Sequence, residues 1–270
     1  MVGRASRWVK LGLVHLLLAA AAAGSTGCSG DILGSDGLAM VRQEYEFGLG
    51  LAYQYLLAID GKNGDISVTG VLGSDSVHVR AVLEVSAATL EEAEAGMAQF
   101  WVDVDQYDEA IVVATAQPLE IEDPNYVVNY EITVPAVMGT EILNINGSVT
   151  LAHMVNSVLV RTGSGDVRLD DIYGSVAVQV WNGNIEADLT LPFQGTADIA
   201  AGNGNIELAL PRNTSAWLVA TTAHGRVDVV NLELTSEVRT SRSLVGTLGA
   251  GHGRIRLSTT NGGIRVTGYE

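Results

Sequence analysis

The chain has 270 residues, of which 17% are charged, and its 31 acidic side chains outnumber the 15 basic ones, for a formal net charge of −16. Such a surface repels phosphate groups, which excludes nucleic-acid binding and disfavours anionic lipid head groups. The single cysteine, Cys28, excludes an intramolecular disulfide.

The N-terminal residues have the layout of a secretory signal peptide. Arg4, Arg7 and Lys10 precede an uncharged apolar run over residues 11–23, and small residues then lead to Cys28. The run is shorter than the roughly 20 residues that a membrane-spanning helix needs. We therefore predict an exported protein from which residues 1–27 are removed. Their removal takes away three basic residues and no acidic one, which changes the formal charge from −16 to −19.

Cys28 follows Ser-Thr-Gly and resembles the lipobox of bacterial lipoproteins, although Ser25 departs from the leucine that this motif prefers. The resemblance implies a diacylated Cys28 as the new N-terminus and a membrane partner bound through the lipid. Residues 28–44 are polar and Gly-rich in their first part, which predicts a flexible tether. Ser29 favours the outer membrane or cell surface over inner-membrane retention. Ordinary cleavage, which would leave Cys28 as a free thiol, is the alternative.

Residues 45–135 have a mixed pattern. Thr89 and Glu92 form a capping-box motif before apolar residues at helical spacing, so we predict one amphipathic helix near residues 89–101. Residues 110–116 and 126–134 alternate in hydrophobicity as strands do.

A nine-residue period dominates from Gly147 onward. Contiguous blocks start at 147, 156, 165, 174 and 183, and after insertions they resume at 195, 204, 213, 225, 253 and 262. The third and fifth residues of each block are apolar, with a slip of one residue in the block at 213, while polar residues alternate with them. This alternation predicts strands that bury one face, and Gly or Asn-Gly marks the turns. Because one block cannot bury its own apolar face, the copies must stack.

The pattern favours an all-β fold, a parallel β-solenoid with coils of about 18 residues built from two nine-residue halves. An antiparallel β-meander or sandwich, with Asn-Gly as hairpin turns, is the alternative. In the solenoid, insertions at 192–194, 222–224 and 234–252 are expected to form rim loops. The last strand, 262–270, is expected to be an unpaired edge available to a partner.

Four runs carry a family resemblance: NGDISVTG (63–70), SGDVRLDDIYGSV (164–176), NGNIEADL (182–189) and NGNIELALP (203–211). They resemble the bacterial "putative adhesin" domains of unknown function over about residues 45–270. The resemblance implies a β-solenoid on an exported or membrane-attached protein and no catalytic residues.

Candidate sites are few. Asp103, Asp105 and Asp108 are spaced as in a calcium loop, but the glycine and glutamate that such a loop needs are missing. His224 and His252 each precede Gly-Arg, which would place them along one edge of the stack without a third metal ligand. The acidic residues that would face one sheet invite comparison with enzymes that cleave polysaccharides; they are Asp166, Asp170, Asp171, Glu186 and Asp188.

We therefore predict no enzyme, catalytic residue, cofactor or metal, and expect a cell-envelope lipoprotein that acts as a non-catalytic binding or adhesion module. Its partner would be a glycan or an unknown envelope protein. The alternatives are a structural or regulatory lipoprotein that docks another envelope protein, and, third, an enzyme acting on polysaccharide.

Overall fold

The computed structural model describes residues 24–25, 29–33, 37–118 and 125–270. The predicted signal peptide, apart from residues 24–25, and the acylation site Cys28 lie outside the described residues, so both stay predictions. In the part of the chain that is described, no helix has the length and apolar character needed to cross a membrane.

The N-terminal part contains one helix, α1 (Leu90–Met97), among ten strands. The strands are β1 (Gly24–Ser25), β2 (Ser29–Leu33), β3 (Ala39–Gly50), β4 (Leu56–Asp60), β5 (Ile66–Val71), β6 (Ser76–Ala87), β7 (Trp101–Gln106), β8 (Ala110–Ala116), β9 (Asn125–Pro135) and β10 (Gly139–Asn146).

The remaining strands follow at short intervals: β11 (Val149–Ala152), β12 (Val158–Ser164), β13 (Val167–Tyr173), β14 (Val176–Asn182), β15 (Ile185–Thr190), β16 (Thr196–Asn203), β17 (Ile206–Pro211), β18 (Ala216–His224), β19 (Val227–Val230), β20 (Leu234–Arg239), β21 (Ser243–Leu248), β22 (Gly253–Asn261) and β23 (Ile264–Tyr269).

Two sheets face each other across one hydrophobic core. Sheet A has the strand order β1-β3-β6-β9-β5-β11-β13-β15-β17-β23-β19, with β2 also paired to β3. Sheet B has the order β20-β21-β18-β22-β16-β14-β12-β10-β4-β8-β7. The chain passes from one sheet to the other and back in each coil, so the predicted all-β solenoid is confirmed and the meander is not.

Parallel pairing confirms the 18-residue coil. Val158 pairs with Val176 in sheet B, and Val149 pairs with Val167, which pairs with Ile185, in sheet A. After the three-residue insertion the offset becomes 21 residues, with Ile185 opposite Ile206. The predicted inward positions are buried in every block, apart from a partly buried Val229. The nine-residue period is therefore one side of a two-sided coil.

The turn after each sheet B strand depends on a column of glycines. Gly64, Gly147, Gly165, Gly183, Gly204 and Gly262 all have φ between 122° and 153°. A Cβ on Gly183 would lie 2.2 Å from the carbonyl oxygen of Gly165 in the adjacent coil, and the same relation repeats along the column. L-amino acids with a side chain rarely adopt this φ, and here the adjacent backbone also occupies the space.

Amides beside these glycines link successive coils. The Nδ2 of Asn203 donates to Oδ1 of Asn182 at 2.7 Å, and the Nδ2 of Asn261 donates to Oδ1 of Asn203 at 2.7 Å. After the glycine, the backbone N–H of Asn205 donates to Oδ1 of Asn184 at 3.0 Å. The Asn-Gly-Asn motif thus forms a stacked turn rather than a hairpin turn.

The N-terminal end differs from the prediction in two boundaries. Helix α1 has the predicted capping box at Thr89 and Glu92 and packs on β3 and β6, but it ends at Met97 because Trp101 begins edge strand β7. Strand β3 begins at Ala39 and pairs with β6 along its whole length. Residues 39–44 of the predicted tether therefore belong to sheet A.

The C-terminal end corrects the expectation of a free last strand. Strand β23 pairs with β17 on one side and β19 on the other, and β22 likewise lies between β16 and β18. The last coil therefore fills a gap between two earlier coils. The predicted rim loop at 234–252 is instead the hairpin β20–β21, which extends sheet B beyond β18, and residues 222–224 are the end of β18.

A pair of neighbouring substitutions tests the alternating register. Val176 is buried, so Val176→Asp places a carboxylate in the core and should lower the free energy of unfolding by several kcal/mol or prevent folding. Ala177 faces outward, so Ala177→Asp should cost less than about 1 kcal/mol. Urea unfolding followed by circular dichroism measures both, and equal losses would contradict the register.

A second pair tests the glycine column. Gly183→Ala combines a positive φ with a clash against backbone and should destabilise the protein by more than about 2 kcal/mol. The control Gly73→Ala also has a positive φ but meets no atom within 4 Å, so it should cost about 1 kcal/mol. Similar unfolding midpoints for the two variants would mean that the column tolerates a side chain.

Candidate functional site

The outer face of sheet A is a charged surface whose charges pair with each other. Arg80 donates to Glu44 and to Glu131, the latter at 2.7 Å, and Arg168 donates to Glu186 at 2.7 Å. The hydrogen bond from the Arg80 guanidinium holds the pKa of Glu44 below its usual value. This face offers few charges that are free for a ligand.

Most of the carboxylates singled out in the sequence have structural partners. Asp166 accepts a hydrogen bond from the backbone N–H of Asn184 at 2.7 Å, and Asp171 contacts the Nδ1 of His153 at 3.1 Å. Asp188 accepts a hydrogen bond from Tyr269, whose pKa is raised by burial and by that bond. The arrangement is a set of ties between coils rather than a pair of catalytic acids.

The two candidate histidines lie at opposite edges of the solenoid. His224 ends β18, whereas His252 directly precedes β22, where its Nδ1 contacts the Oγ of Ser215 at 3.0 Å. The expectation of a shared edge is wrong because an odd number of half-coils separates the two Gly-Arg sequences. In the described ranges, no three His, Cys, Asp or Glu side chains are grouped so as to hold a metal ion, and Asp103 instead accepts from the indole of Trp101.

The outer face of sheet B has a different character, since large apolar side chains point into solvent. Trp181 is 67% exposed, Ile145 52%, Leu143 45% and Trp217 44%. Exposed apolar residues that share one face mark binding surfaces more often than scattered ones do. We therefore regard this face as the candidate functional site.

A shallow groove of about 340 Å³ crosses strands β12, β14, β16 and β22 on this face. Its floor is low because β14 and β16 carry Ala177 and Ala200 there. Its sides are high because Leu159 and Arg161 project from β12 and Arg256 from β22. Alternation of short and long side chains on neighbouring strands therefore creates the groove without a change in the backbone.

Polar groups in the groove have unused hydrogen-bonding capacity. The Oδ1 of Asp198 is buried and accepts no hydrogen bond, although Arg256 approaches it to 3.7 Å. Gln179 and Ser258 also line the groove. In the part of the chain that the structure describes, neither side chain forms a hydrogen bond, and Arg161 forms neither a hydrogen bond nor an ion pair.

The predicted rim loop at 192–194 lies beside the start of β16. Phe193 is 74% exposed, and its ring centroid lies 4.9 Å from that of His252. An aromatic pair thus stands near the ends of the strands where they enter sheet B, while Trp181 lies near the ends where they leave it.

Sequence reasoning missed the groove and Trp181. One signal was present: in the 18-residue register Trp181 falls opposite Gly163 and Gly202, an outward tryptophan between two glycines. The arginine wall was not visible, because Arg256 reaches the groove only through the insertion of the last coil beside β16.

Comparison with known proteins gives a family and a set of distant structures. The family model of Toastrack DUF4097 matches residues 127–267. A crystal structure of a "putative cell adhesion protein" from Clostridium sporogenes is 13% identical, with 84% of this chain and 100% of that chain covered and a TM-score of 0.46. A "putative adhesin" from Bacteroides fragilis is 9% identical, with 84% and 97% covered and a TM-score of 0.39.

A "putative lipid binding protein" from Parabacteroides distasonis is 10% identical, with 84% of this chain and 97% of that chain covered and a TM-score of 0.25. No curated protein matches the chain. The family resemblance predicted from the repeats is confirmed. Because the family model covers more than half of the 270 residues, the chain belongs to the Toastrack family, DUF4097.

Proposed function

We propose that the chain is a non-catalytic binding module of the cell envelope that holds its target on the outer face of sheet B. One observation carries the proposal: this face combines an exposed Trp181 with a groove whose polar side chains lack partners, while many charges of sheet A pair with each other. Unused donors and acceptors beside apolar surface are what a ligand site offers.

The chemistry of the groove favours binding over catalysis. Its titratable side chains are Arg161, Asp198 and Arg256, and an open, shallow groove does not exclude water from a bound ligand. General acid–base catalysis needs a group of suitable pKa held against the reacting atom. A carboxylate beside two arginines stays ionised and suits recognition.

The lipid anchor proposed at Cys28 would set the height of this face above a membrane. Strand β2, which starts at Ser29, pairs with β3 at the N-terminal end of sheet A. Strand β15, in the same coil as β14, lies six strands from β3, or roughly 30 Å at ~4.8 Å per strand. We propose that the anchor lies in the outer membrane, with the groove held clear of the lipid head groups.

Docking of another envelope protein is the second candidate. It is favoured by Leu143 and Ile145, which extend the apolar surface beyond the groove toward β10. A protein that covered both these residues and Trp181 would bury a larger apolar area than a narrow ligand would. Pull-down from detergent-solubilised envelopes distinguishes the two, since docking predicts a stoichiometric protein partner.

Filling the groove tests the proposed face. The double variant Ala177→Arg and Ala200→Arg, made in the chain from residue 28 with Cys28→Ser, should reduce binding to intact cells or isolated envelopes by at least about tenfold. The control is Thr150→Arg with Ala209→Arg, which adds the same side chains to the outer face of sheet A. Fluorescently labelled proteins measure the binding, and equal losses would refute the assignment of the face.

The anchor has its own test. The wild-type protein should partition into detergent with an N-terminal mass increment from acylation, and Cys28→Ser should abolish both. Mass spectrometry and Triton X-114 partition measure the outcome. An unmodified mature protein in the soluble periplasmic fraction would exclude the lipoprotein proposal and leave the binding face untouched.

A further inference from the structure

Resting on the proposed function, the geometry points to the class of ligand. We propose that the groove on sheet B binds an extended glycan that carries carboxylate groups. In this arrangement one sugar ring stacks on Trp181, and Arg161 pairs with a carboxylate.

Trp181 provides an open aromatic platform. Its neighbours in the same row are Gly163 on β12 and Gly202 on β16, so no side chain rises beside the indole. The indole is 67% exposed and forms no hydrogen bond to a described residue. A pyranose ring presents a flat face of C–H groups with hydroxyls at its rim, which matches an apolar ring face surrounded by water. The platform therefore suits a sugar.

The charge in the groove selects the kind of sugar. Arg161 lies between Leu143 and Gln179 on the adjacent strands, whereas Arg265 on sheet A, which also lacks an ion pair, lies between Glu207 and Asp228. Arg161 therefore has no carboxylate beside it, although the chain as a whole is strongly acidic. A guanidinium binds carboxylates through two parallel hydrogen bonds. An acidic sugar supplies the missing partner.

The other polar groups match hydroxyls. The Oδ1 of Asp198 can accept, while Gln179 and Ser258 can both donate and accept. A sugar hydroxyl does both, so each group can be satisfied by the same kind of ligand. An extended peptide is less suited, because the groove crosses paired strands and presents no free backbone edge for strand addition.

The length of the face favours a chain of several sugars. From Thr196 to Gly202 is six residues along β16, or roughly 20 Å at ~3.3 Å per residue. Trp181 lies near one end of this path, and the Phe193–His252 pair lies near the other. A ligand that spans it would contact aromatic rings near both ends and polar groups between them.

A glycan array tests the inference. The probe set contains oligosaccharides of five to eight sugars with uronic acid, with sialic acid and with neutral sugars only, and the protein is the chain from residue 28 with Cys28→Ser. We expect binding to at least one carboxylated oligosaccharide, lost on methyl esterification of its carboxyl groups. Trp181→Ala and Arg161→Gln should each weaken the Kd by at least about tenfold, and Trp181→Tyr should restore part of the affinity.

Matched variants separate these effects from misfolding. Trp101→Ala removes an exposed tryptophan at the far edge of sheet B, and Arg242→Gln removes an arginine that has no side-chain partner in the described residues. Neither should change the Kd. Circular dichroism and urea unfolding should show that all four variants are as stable as the parent protein, since each side chain is exposed.

The outcomes distinguish the two proposals. If no carboxylated oligosaccharide binds with a Kd below about 1 mM, the glycan inference is wrong. It is also wrong if esterified and free forms bind equally. If the groove-filling variant still loses envelope binding in that case, the binding face stands, and loss of that binding after protease treatment of the envelopes would identify a protein partner. If filling the groove changes nothing, the proposed function itself fails.

Discussion

The close approach of successive coils at the glycine column is the constraint on which the rest of the structure depends. Each turn glycine donates its N–H to the adjacent coil, as Gly183 does to the carbonyl of Asn203 at 2.9 Å, and a Cβ would meet the carbonyl oxygen of the neighbouring glycine. Parallel strands can follow on both sides only if every turn stacks in this way. The turn sets the phase of each coil, and the phase decides which residues face the core. Buried threonines support the same turn from inside, since Thr259 donates to the carbonyl of Gly204 at 2.8 Å.

Fixed phase also explains how the last coil can enter the stack out of order. Strand β22 pairs with β16 and β18 in the same register that consecutive coils use, so the stack does not distinguish sequence order from spatial order. The hairpin β20–β21 reverses the chain direction and covers the edge of β18, which would otherwise be free. At the neighbouring edge, Arg239 donates to the carbonyl of Val227. Both devices protect strand edges that could recruit other chains.

The repeat made much of this predictable, because its information is local. Alternation placed Val176 and Val178 in the core, Asn-Gly placed the turns, and the capping box placed the start of α1. Three features were not accessible. The position of β23 depends on pairing across 58 residues, the groove depends on side chains from four separate coils, and the end of α1 depends on the pairing of Trp101 with β8. Local periodicity does not encode which coil lies next to which.

The two outer faces show how one scaffold can separate stability from recognition. Outward positions are independent of the glycine column, so a change at such a position alters the surface without a cost to the core. On sheet A these positions carry opposite charges on adjacent strands, as in Arg168 and Glu186, which supports the register at the surface. On sheet B the same positions carry alanines, unpaired polar groups and Trp181, none of which contributes to pairing between coils. Side chains that contribute nothing to the fold are retained for another reason, and their placement in one groove argues that the reason is a ligand.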